Sequence, residues 1–184
     1  MTLSILIPSL YKRRGLLQSM MKALEVQMTD EVEVLTDIDD GEVTTGNKRN
    51  RLIQRASGEY IVFVDDDDEV STDYVKEILQ AAITKPDAIV FSGWMTTNGT
   101  DRRDFHLSIH YPYTAVTRNG KIEYLRYPNH ITPIKRSIAL QVPFPNRTIG
   151  EDYEWATAIH DQGLIKTEIK IHKYLYHYQF KTDK

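Results

Sequence analysis

Short apolar segments alternate with amphipathic ones through the first half of this chain. Four apolar runs have the length and composition of buried strands, at residues 3–7, 31–35, 60–64 and 87–91. Apolar residues recur at helical spacing after the first run, and further helices are predicted over 47–56 and after a capping residue at Ser71 or Thr72. Because strands separated by helices form mainly parallel sheets, the pattern predicts an α/β fold with a central, mainly parallel sheet flanked by helices.

The second half is less regular. From Ser92 to Gly150 the chain breaks into short pieces separated by glycine and proline, and its periodicity predicts little. Helical spacing returns between Glu151 and His160, and residues 165–178 alternate well enough for one or two strands. In that last segment His177 shares its parity with apolar residues, so its side chain is expected to face the interior.

Composition narrows the class of protein. The formal net charge of −3 argues against a globally basic nucleic-acid-binding protein. The absence of cysteine excludes disulfides and thiolate metal sites, and it fits a cytoplasmic location. No stretch approaches the roughly 20 apolar residues that cross a bilayer, and no basic segment precedes the N-terminal apolar run as in a signal peptide. A soluble protein with one domain is therefore expected.

The most informative feature is a run of four aspartates, Asp65 to Asp68, directly after the third predicted strand. Adjacent carboxylates repel one another, so their position at the end of a buried strand predicts a bound cation. Because side chains in an extended segment alternate between faces, Asp65 and Asp67 are expected on one face and Asp66 and Asp68 on the other, so that one pair can share a metal site. Residues 8–9 and 37–40 also follow strands, and ligands bind where parallel strands end. The alternative is a solvated acidic turn before a helix.

Five segments, in this order, resemble motifs of the family 2 glycosyltransferases with the GT-A fold, most of all the small phage and bacterial members. The segments are Ile5–Ser9, Asp37–Gly41, Gly46–Asn50, Gly58–Asp68 and Gly150–Asp152. The resemblance implies a GT-A-like nucleotide-sugar-binding fold in a single domain, 1–184, with a nucleotide-binding half at about 1–95 and an acceptor-side half at about 96–184. It also implies an inverting transfer of a sugar, with a UDP-sugar as the expected donor.

The resemblance assigns the donor-side residues. Asp65 and Asp67 match the Asp-x-Asp motif, which implies that Asp67 binds Mn²⁺ or Mg²⁺ directly and that Asp65 contacts the ribose or reaches the metal ion through water. An acidic residue after the second strand is expected to read the uracil ring, and the spacing leaves Asp37 and Asp39 as alternatives. The candidate donor-binding residues are Pro8, Ser9, Asp37, Asp39, Arg49, Asp65 and Asp66.

Two basic residues and a histidine complete the donor-side expectations. Arg49 is expected to reach the diphosphate or to stabilise the acidic run, whereas Lys48 is expected to be a surface charge. Metal sites often gain a histidine from a distant strand, so His177 joins Asp65 and Asp67 as a candidate metal ligand.

The acceptor side is expected at residues 150–152. Asp152 matches the position of the catalytic base of the family, and Glu151 is expected to orient the loop or an acceptor hydroxyl. Both acids would also be favoured at a helix N-terminus without any catalytic role. Trp155 is either a core residue or a platform for a sugar ring, and His130 is a candidate acceptor contact. The acceptor itself stays open among a saccharide, a lipid-linked glycan, a protein and a modified DNA base.

Two other functions use similar residues. A nucleotidyltransferase also combines carboxylates with a metal ion on an alternating sheet, but it usually has a glycine-rich phosphate loop near the first strand, where this chain has Pro8-Ser9-Leu10-Tyr11. A non-catalytic nucleotide-sugar-binding module would use the donor half alone. Release of a nucleoside diphosphate favours glycosyl transfer, whereas release of pyrophosphate favours the nucleotidyltransferase.

Overall fold

A ten-stranded sheet forms the centre of the protein, whose computed structural model describes residues 1–182. The strands are β1 (Leu3–Leu10), β2 (Val32–Asp39), β3 (Tyr60–Phe63), β4 (Glu69–Val70), β5 (Ala88–Thr97), β6 (Thr100–Leu107), β7 (Thr114–Arg118), β8 (Lys121–Arg126), β9 (Ile134–Lys135) and β10 (Glu168–Phe180). The helices are α1 (Arg14–Glu25), α2 (Thr45–Arg55), α3 (Tyr74–Ala82), α4 (Arg136–Ala139) and α5 (Glu151–Asp161), and a 3₁₀ turn, Tyr11–Arg13, precedes α1.

The predicted α/β fold with a mainly parallel central sheet is confirmed. Strand β1 pairs in parallel with β2 on one side and with β3 on the other, and β5 pairs in parallel with β10. Strand β9 is antiparallel to both β3 and β5 and joins the two parallel groups. The apolar runs of β1, β3 and β5 are buried on both faces, as expected of strands that are covered by helices.

The irregular segment after Ser92 contains hairpins that periodicity alone does not resolve. Strands β5 and β6 are joined at Asn98-Gly99, and β7 and β8 at Asn119-Gly120. All four of these turn residues have positive φ, between 50° and 78°, which is the backbone of a type I′ hairpin turn. Strands β6 to β8 are partly exposed, so their hydrophobic pattern is weak.

The predicted helix caps need one correction. Helix α3 begins at Tyr74, and its N-terminal flanking residue is Asp73, not Ser71 or Thr72. The Ser71 hydroxyl donates a hydrogen bond to Asp73 Oδ1 (2.7 Å) and is therefore engaged before the helix begins. Helix α2 begins two residues before its predicted start, because the Thr44 side chain accepts a hydrogen bond from the Asn47 N–H and caps it.

The sheet brings the polar ends of three strands to one edge. Leu10 pairs with Asp39 and Leu6 pairs with Phe63, so the segments that follow β1, β2 and β3 leave the sheet side by side. Helix α2 approaches the 145–147 segment so closely that a Cβ at Gly46 would lie 2.0 Å from the Pro145 carbonyl oxygen. The Gly46 N–H donates to the Arg147 carbonyl (3.0 Å), which fixes α2 beside the segment that leads into α5.

Among residues 1–182, no helix combines the length and the apolar composition that crossing a bilayer requires.

Candidate active site

The four aspartates after β3 form a turn and do not continue the strand. The Asp68 N–H donates to the Asp65 carbonyl (3.2 Å), so the chain reverses within the run. The expectation that alternate aspartates share a face is therefore wrong, because alternation requires extended backbone. Asp66 and Asp67 instead face the same cation.

That cation is the guanidinium of Arg13, in the 3₁₀ turn after β1. Arg13 Nη2 lies 2.6 Å from Asp66 Oδ1 and 2.6 Å from Asp67 Oδ2. The Ser9 hydroxyl donates to the second oxygen of Asp66. Burial raises the pKa of Asp66, as do the neighbouring charges of Asp67 and Asp65, and the contacts with Ser9 and Arg13 oppose this shift without cancelling it. Arg13 lies between Lys12 and Arg14, and nothing in the sequence distinguishes it from these two basic neighbours, so its role was not predicted.

The carboxylate pair is suited to a cation but does not by itself form a metal cage. Asp66 and Asp67 converge on a single positively charged nitrogen, and oxygen ligands of this kind suit Mg²⁺ and Mn²⁺. Among residues 1–182, no group of three or more histidine, cysteine or acidic side chains is arranged to hold a metal ion. A divalent ion here would take its remaining ligands from water and substrate, and Arg13 would have to withdraw.

Arg49 connects the aspartate turn to the start of α5. Its side chain is 3% exposed, with Nη2 3.0 Å from Asp65 Oδ1 and Nε 3.3 Å from Glu151 Oε1. The guanidinium also lies over the Phe63 ring, 4.7 Å from its centroid. Its Nη1 is buried and has no hydrogen-bond partner within residues 1–182, so the two N–H groups of this nitrogen remain for a further acceptor.

Arg49 affects its two acidic partners differently. Burial by itself would raise the pKa of Asp65, but the positive charge of Arg49, together with the contacts of Asp65 with His130, outweighs burial and holds that pKa well below its usual range. For Glu151, burial is the dominant effect, so its pKa is raised despite the attraction of Arg49. Asp65 is therefore a firmly ionised carboxylate at the end of β3.

Lys48 is buried, so its expected position at the surface is wrong. Its side chain is 3% exposed; Nζ contacts Asp39 Oδ1 and donates to the Ser9 carbonyl (2.7 Å). Lys48 thereby joins the ends of β1 and β2. An amphipathic reading of α2 assigns charged residues to solvent, and it fails because this helix faces a polar edge of the sheet.

Asp37 and Asp39, the two alternatives for the acid that would contact the uracil ring, have different partners. Asp37 forms a paired contact with Arg51, at 2.8 and 2.9 Å. Asp39 accepts the N–H groups of Gly41 and Val43, at 3.0 and 2.9 Å. Both acids line a shallow cleft of about 410 Å³ at the end of β2. The structure therefore places both residues at one candidate nucleoside cleft.

Asp152 lies in the first turn of α5, where its carboxylate is 38% exposed. The residue before the helix, Gly150, has φ +75°, a left-handed conformation that favours glycine. Asp152 Oδ2 is 3.3 Å from His130 Nδ1, and His130 Nε2 is 3.6 Å from Asp65 Oδ2. The predicted base, the predicted donor-side carboxylate and His130 are thus brought together.

Trp155 is a core residue, which excludes the alternative of a sugar platform. It is 1% exposed, its ring stacks on Phe144 with centroids 4.4 Å apart, and its N–H donates to the Val142 carbonyl (2.9 Å). Its position one turn after Asp152 along α5 is therefore explained by packing.

His177 lies among other partners. Its Nδ1 is 3.0 Å from Glu69 Oε2, its Nε2 is 2.9 Å from Thr96 Oγ1, and its ring stacks on Trp94. Both nitrogens are thereby engaged, so this geometry offers no support for His177 as a metal ligand. Strand β10 is irregular between residues 170 and 176, and simple alternation does not carry through it.

Tyr176 fixes the aspartate turn from the opposite side and was missed by the sequence reading. Its hydroxyl donates to Asp68 Oδ2 (2.7 Å) and accepts the Asp65 N–H (3.2 Å), and the Gln179 N–H donates to Asp68 Oδ1 (2.8 Å). Burial and the charge of Asp65 raise the pKa of Asp68 well above its usual range. A tyrosine within a hydrophobic strand gives no sequence signal for this contact.

Residues 40–142 match the sequence profile of the family described as Glycosyl transferase family 2. No curated protein sequence is significantly similar to the chain.

Solved structures of S. aureus TarS have a similar fold. TarS 1-349 in complex with UDP-GlcNAc aligns with a TM-score of 0.74 at 16% identity, covering 100% of this chain and 60% of that one. The corresponding complex with UDP has a TM-score of 0.71 at 17% identity, covering 97% and 60%. The longer TarS chain has a TM-score of 0.72 at 15% identity, covering 97% of this chain and 37% of its own length. This chain thus spans less than two thirds of the TarS proteins, and the likeness concerns the fold.

Proposed function

Because the chain belongs to glycosyl transferase family 2, we propose that it transfers the sugar of a uridine diphosphate sugar to an acceptor hydroxyl with inversion at the anomeric carbon. The observation that carries the proposal is the position of His130, whose two ring nitrogens lie 3.3 Å from Asp152 and 3.6 Å from Asp65. A candidate base on α5 therefore lies beside the carboxylates at the end of β3, where the donor is expected.

The uridine nucleotide is supported by the fold and by the cleft at the end of β2. Two of the TarS structures of similar fold are complexes, one with UDP and one with UDP-GlcNAc. Asp37 and Asp39 line the cleft that is proposed to hold the uracil ring, and Pro8 and Ser9 lie beside them at the end of β1. Arg49, with a buried nitrogen that has no partner within residues 1–182, is the proposed contact of the diphosphate.

A divalent cation, Mn²⁺ or Mg²⁺, belongs to the proposal. Asp67 would hold it, with Asp66 and Asp65 as neighbouring carboxylates. When bound, such an ion neutralises the charge that develops on the leaving diphosphate. Glu151 is proposed to orient the start of α5 through its contact with Arg49.

Asp152 is the proposed general base. Its carboxylate accepts the proton of the acceptor hydroxyl while the hydroxyl oxygen bonds to the anomeric carbon. The bond from that carbon to the diphosphate oxygen breaks with its electron pair on the diphosphate. Attack from the opposite face inverts the configuration. The Asp152 side chain is 38% exposed, so an acceptor that approaches from solvent can reach its carboxylate.

A thermal-shift screen with uridine, guanosine and thymidine diphosphate sugars, with and without Mn²⁺, tests the donor. We expect uridine nucleotides to raise the unfolding midpoint the most, and more with Mn²⁺, because a ligand that binds only the folded state stabilises it. Equal midpoints with all nucleotides would contradict the donor assignment.

Asp152→Asn tests the base. We expect it to bind UDP-GlcNAc like the wild type but to release UDP at least about a hundredfold more slowly, within the usual range for a general base. Asp161→Asn, an exposed acid at the other end of α5, is the matched control. Unchanged UDP release by Asp152→Asn would overturn the base assignment.

A further inference from the structure

His130 is held at the site by its backbone, independently of its ring. Its carbonyl accepts the N–H of Phe63, the last residue of β3 (3.0 Å). The turn is closed by a hydrogen bond from the Thr132 N–H to the Asn129 carbonyl (2.9 Å), and the Thr132 hydroxyl accepts the Asn129 N–H (3.1 Å). The position of residue 130 beside β3 therefore does not depend on an imidazole.

The ring lies between two carboxylates that belong to different elements. Nδ1 faces Asp152 on α5, and Nε2 faces Asp65 after β3, at 3.3 and 3.6 Å. The residue is 8% exposed. The two nitrogens of an imidazole point in different directions, so one ring can contact both acids.

In the described part of the chain both ring nitrogens of His130 lack a hydrogen-bond partner, and the nearer of the two facing carboxylates is that of Asp152. Within residues 1–182, neither nitrogen has a partner in hydrogen-bond geometry, although both are buried. A buried polar nitrogen without a partner costs free energy. The nearest acidic oxygen is Asp152 Oδ2, 3.3 Å from Nδ1, and contacts at active sites often tighten on substrate binding.

We propose that His130 is a positioning residue that orients the Asp152 carboxylate toward the donor by donating a hydrogen bond from Nδ1. This inference rests on the proposed function, in which Asp152 is the base. Asp152 is in the first turn of α5, and its side chain is 38% exposed. A fixed donor beside it restricts the carboxylate to orientations that face Asp65 and the sugar bound there.

Three substitutions separate positioning from packing. Asn carries an amide nitrogen near the place of Nδ1, Gln carries one near the place of Nε2, and Leu has neither. With UDP-GlcNAc and Mn²⁺ as the probe, we expect His130→Leu and His130→Gln to lower kcat for UDP release at least about tenfold, with KM changed less than about twofold. We expect the kcat of His130→Asn to stay within about threefold of the wild-type value. The control variant His172→Asn, at an exposed position, should have the wild-type kcat.

Two results would overturn the inference while the proposed function stands. In the first, wild-type protein releases UDP and His130→Leu keeps its kcat. In the second, His130→Gln keeps the wild-type kcat and His130→Asn does not. That result would show that the ring acts through the contact of its Nε2 with Asp65.

The contact can also be tested without turnover. Thermal unfolding midpoints of His130→Leu, Asp152→Ala and the double variant form a cycle, because Leu and Ala each remove one partner of the hydrogen bond, and interacting residues give shifts that do not add. We expect the double variant to lose less than the sum of the single shifts. Strictly additive shifts would contradict the contact even if no donor is turned over, and non-additive shifts would support it.

Discussion

Arg13 Nη2 lies 2.6 Å from Asp67 Oδ2, so a cation of the chain itself contacts the carboxylate that the Asp-x-Asp resemblance assigns to a metal ion. The same nitrogen is 2.6 Å from Asp66 Oδ1, and both acids are buried. Arg13 thereby offsets part of the mutual repulsion between these two neighbouring carboxylates. A divalent ion must compete with it.

We therefore expect Arg13→Ala to bind Mn²⁺ more tightly in the absence of nucleotide. Removal of the competing charge should strengthen binding severalfold, on the order of 1 kcal/mol for a partly exposed charge pair. Titration of free Mn²⁺ by electron paramagnetic resonance measures this directly. Lys12→Ala, which removes the same charge from the exposed neighbouring residue, should leave the affinity unchanged. Equal or weaker Mn²⁺ binding by Arg13→Ala would show that Arg13 does not compete with the ion.

Arg49 should be far more important for stability than its neighbour Arg51. Arg49→Met leaves Asp65 and Glu151 without their shared cation in a buried place, which should cost about 3 to 5 kcal/mol of unfolding free energy. Arg51→Ala also breaks an ion pair, with Asp37, but Arg51 is half exposed, so its loss should cost less than about 1 kcal/mol. Urea unfolding of both variants gives the comparison. Similar losses in the two variants would contradict the dominant role assigned to Arg49.

The sequence predicted best those strands that are buried on both faces of the sheet. The runs of β1, β3 and β5 contain uninterrupted apolar residues, and α5 has a helical spacing that its glycine boundary reinforces. Strands β6 to β8 escaped prediction because they are partly exposed and their periodicity is weak. The turns at Asn98 and Asn119 carried the available hairpin signal.

The site was predictable where its chemistry lies within contiguous motifs, and not where it depends on distant contacts. The strand ends brought Ser9, Asp39 and Asp65 to one edge, as parallel topology requires. Arg13 and Lys48 could not be identified, since nothing local distinguishes a charge aimed at a buried carboxylate from one in solvent. Local propensity favours acids at a helix start whether or not they are catalytic.

Asp87 is predicted to make the stability of the sheet sensitive to acid. Its carboxylate accepts hydrogen bonds from Lys135 Nζ (2.9 Å) and from the N–H groups of Lys166 and Thr167 (2.9 and 3.0 Å), which connects β9 to the start of β10. Burial would raise the pKa of Asp87, but these hydrogen bonds outweigh burial and lower it below the usual 3.8. The folded state therefore holds this proton less readily than the unfolded state.

The sign of the pH effect follows from that shift. The stabilisation is fully present above pH 3.8, the unfolded value, and it is lost as the pH falls through the lower folded pKa. Asp87→Asn should cost about 1 to 3 kcal/mol at pH 7, and the difference from the wild type should shrink below about pH 4. Urea unfolding between pH 3 and pH 7 measures it, with the exposed Asp161→Asn as control. A difference that stays constant over this range would contradict the assignment.

Lys48 should affect donor binding although it is not expected to touch the donor. Its Nζ connects the Ser9 carbonyl to Asp39, so it sets the spacing of the two strand ends that are proposed to hold the nucleoside. Lys48→Met keeps the length of the side chain but removes both contacts, and we expect UDP to bind about tenfold more weakly, a loss of ~1.4 kcal/mol. Isothermal titration with UDP measures this affinity. Lys76→Met, at an exposed position of α3, should bind UDP like the wild type. If Lys48→Met also binds UDP with wild-type affinity, the spacing of β1 and β2 is set without Lys48, and the nucleoside cleft does not depend on this buried charge.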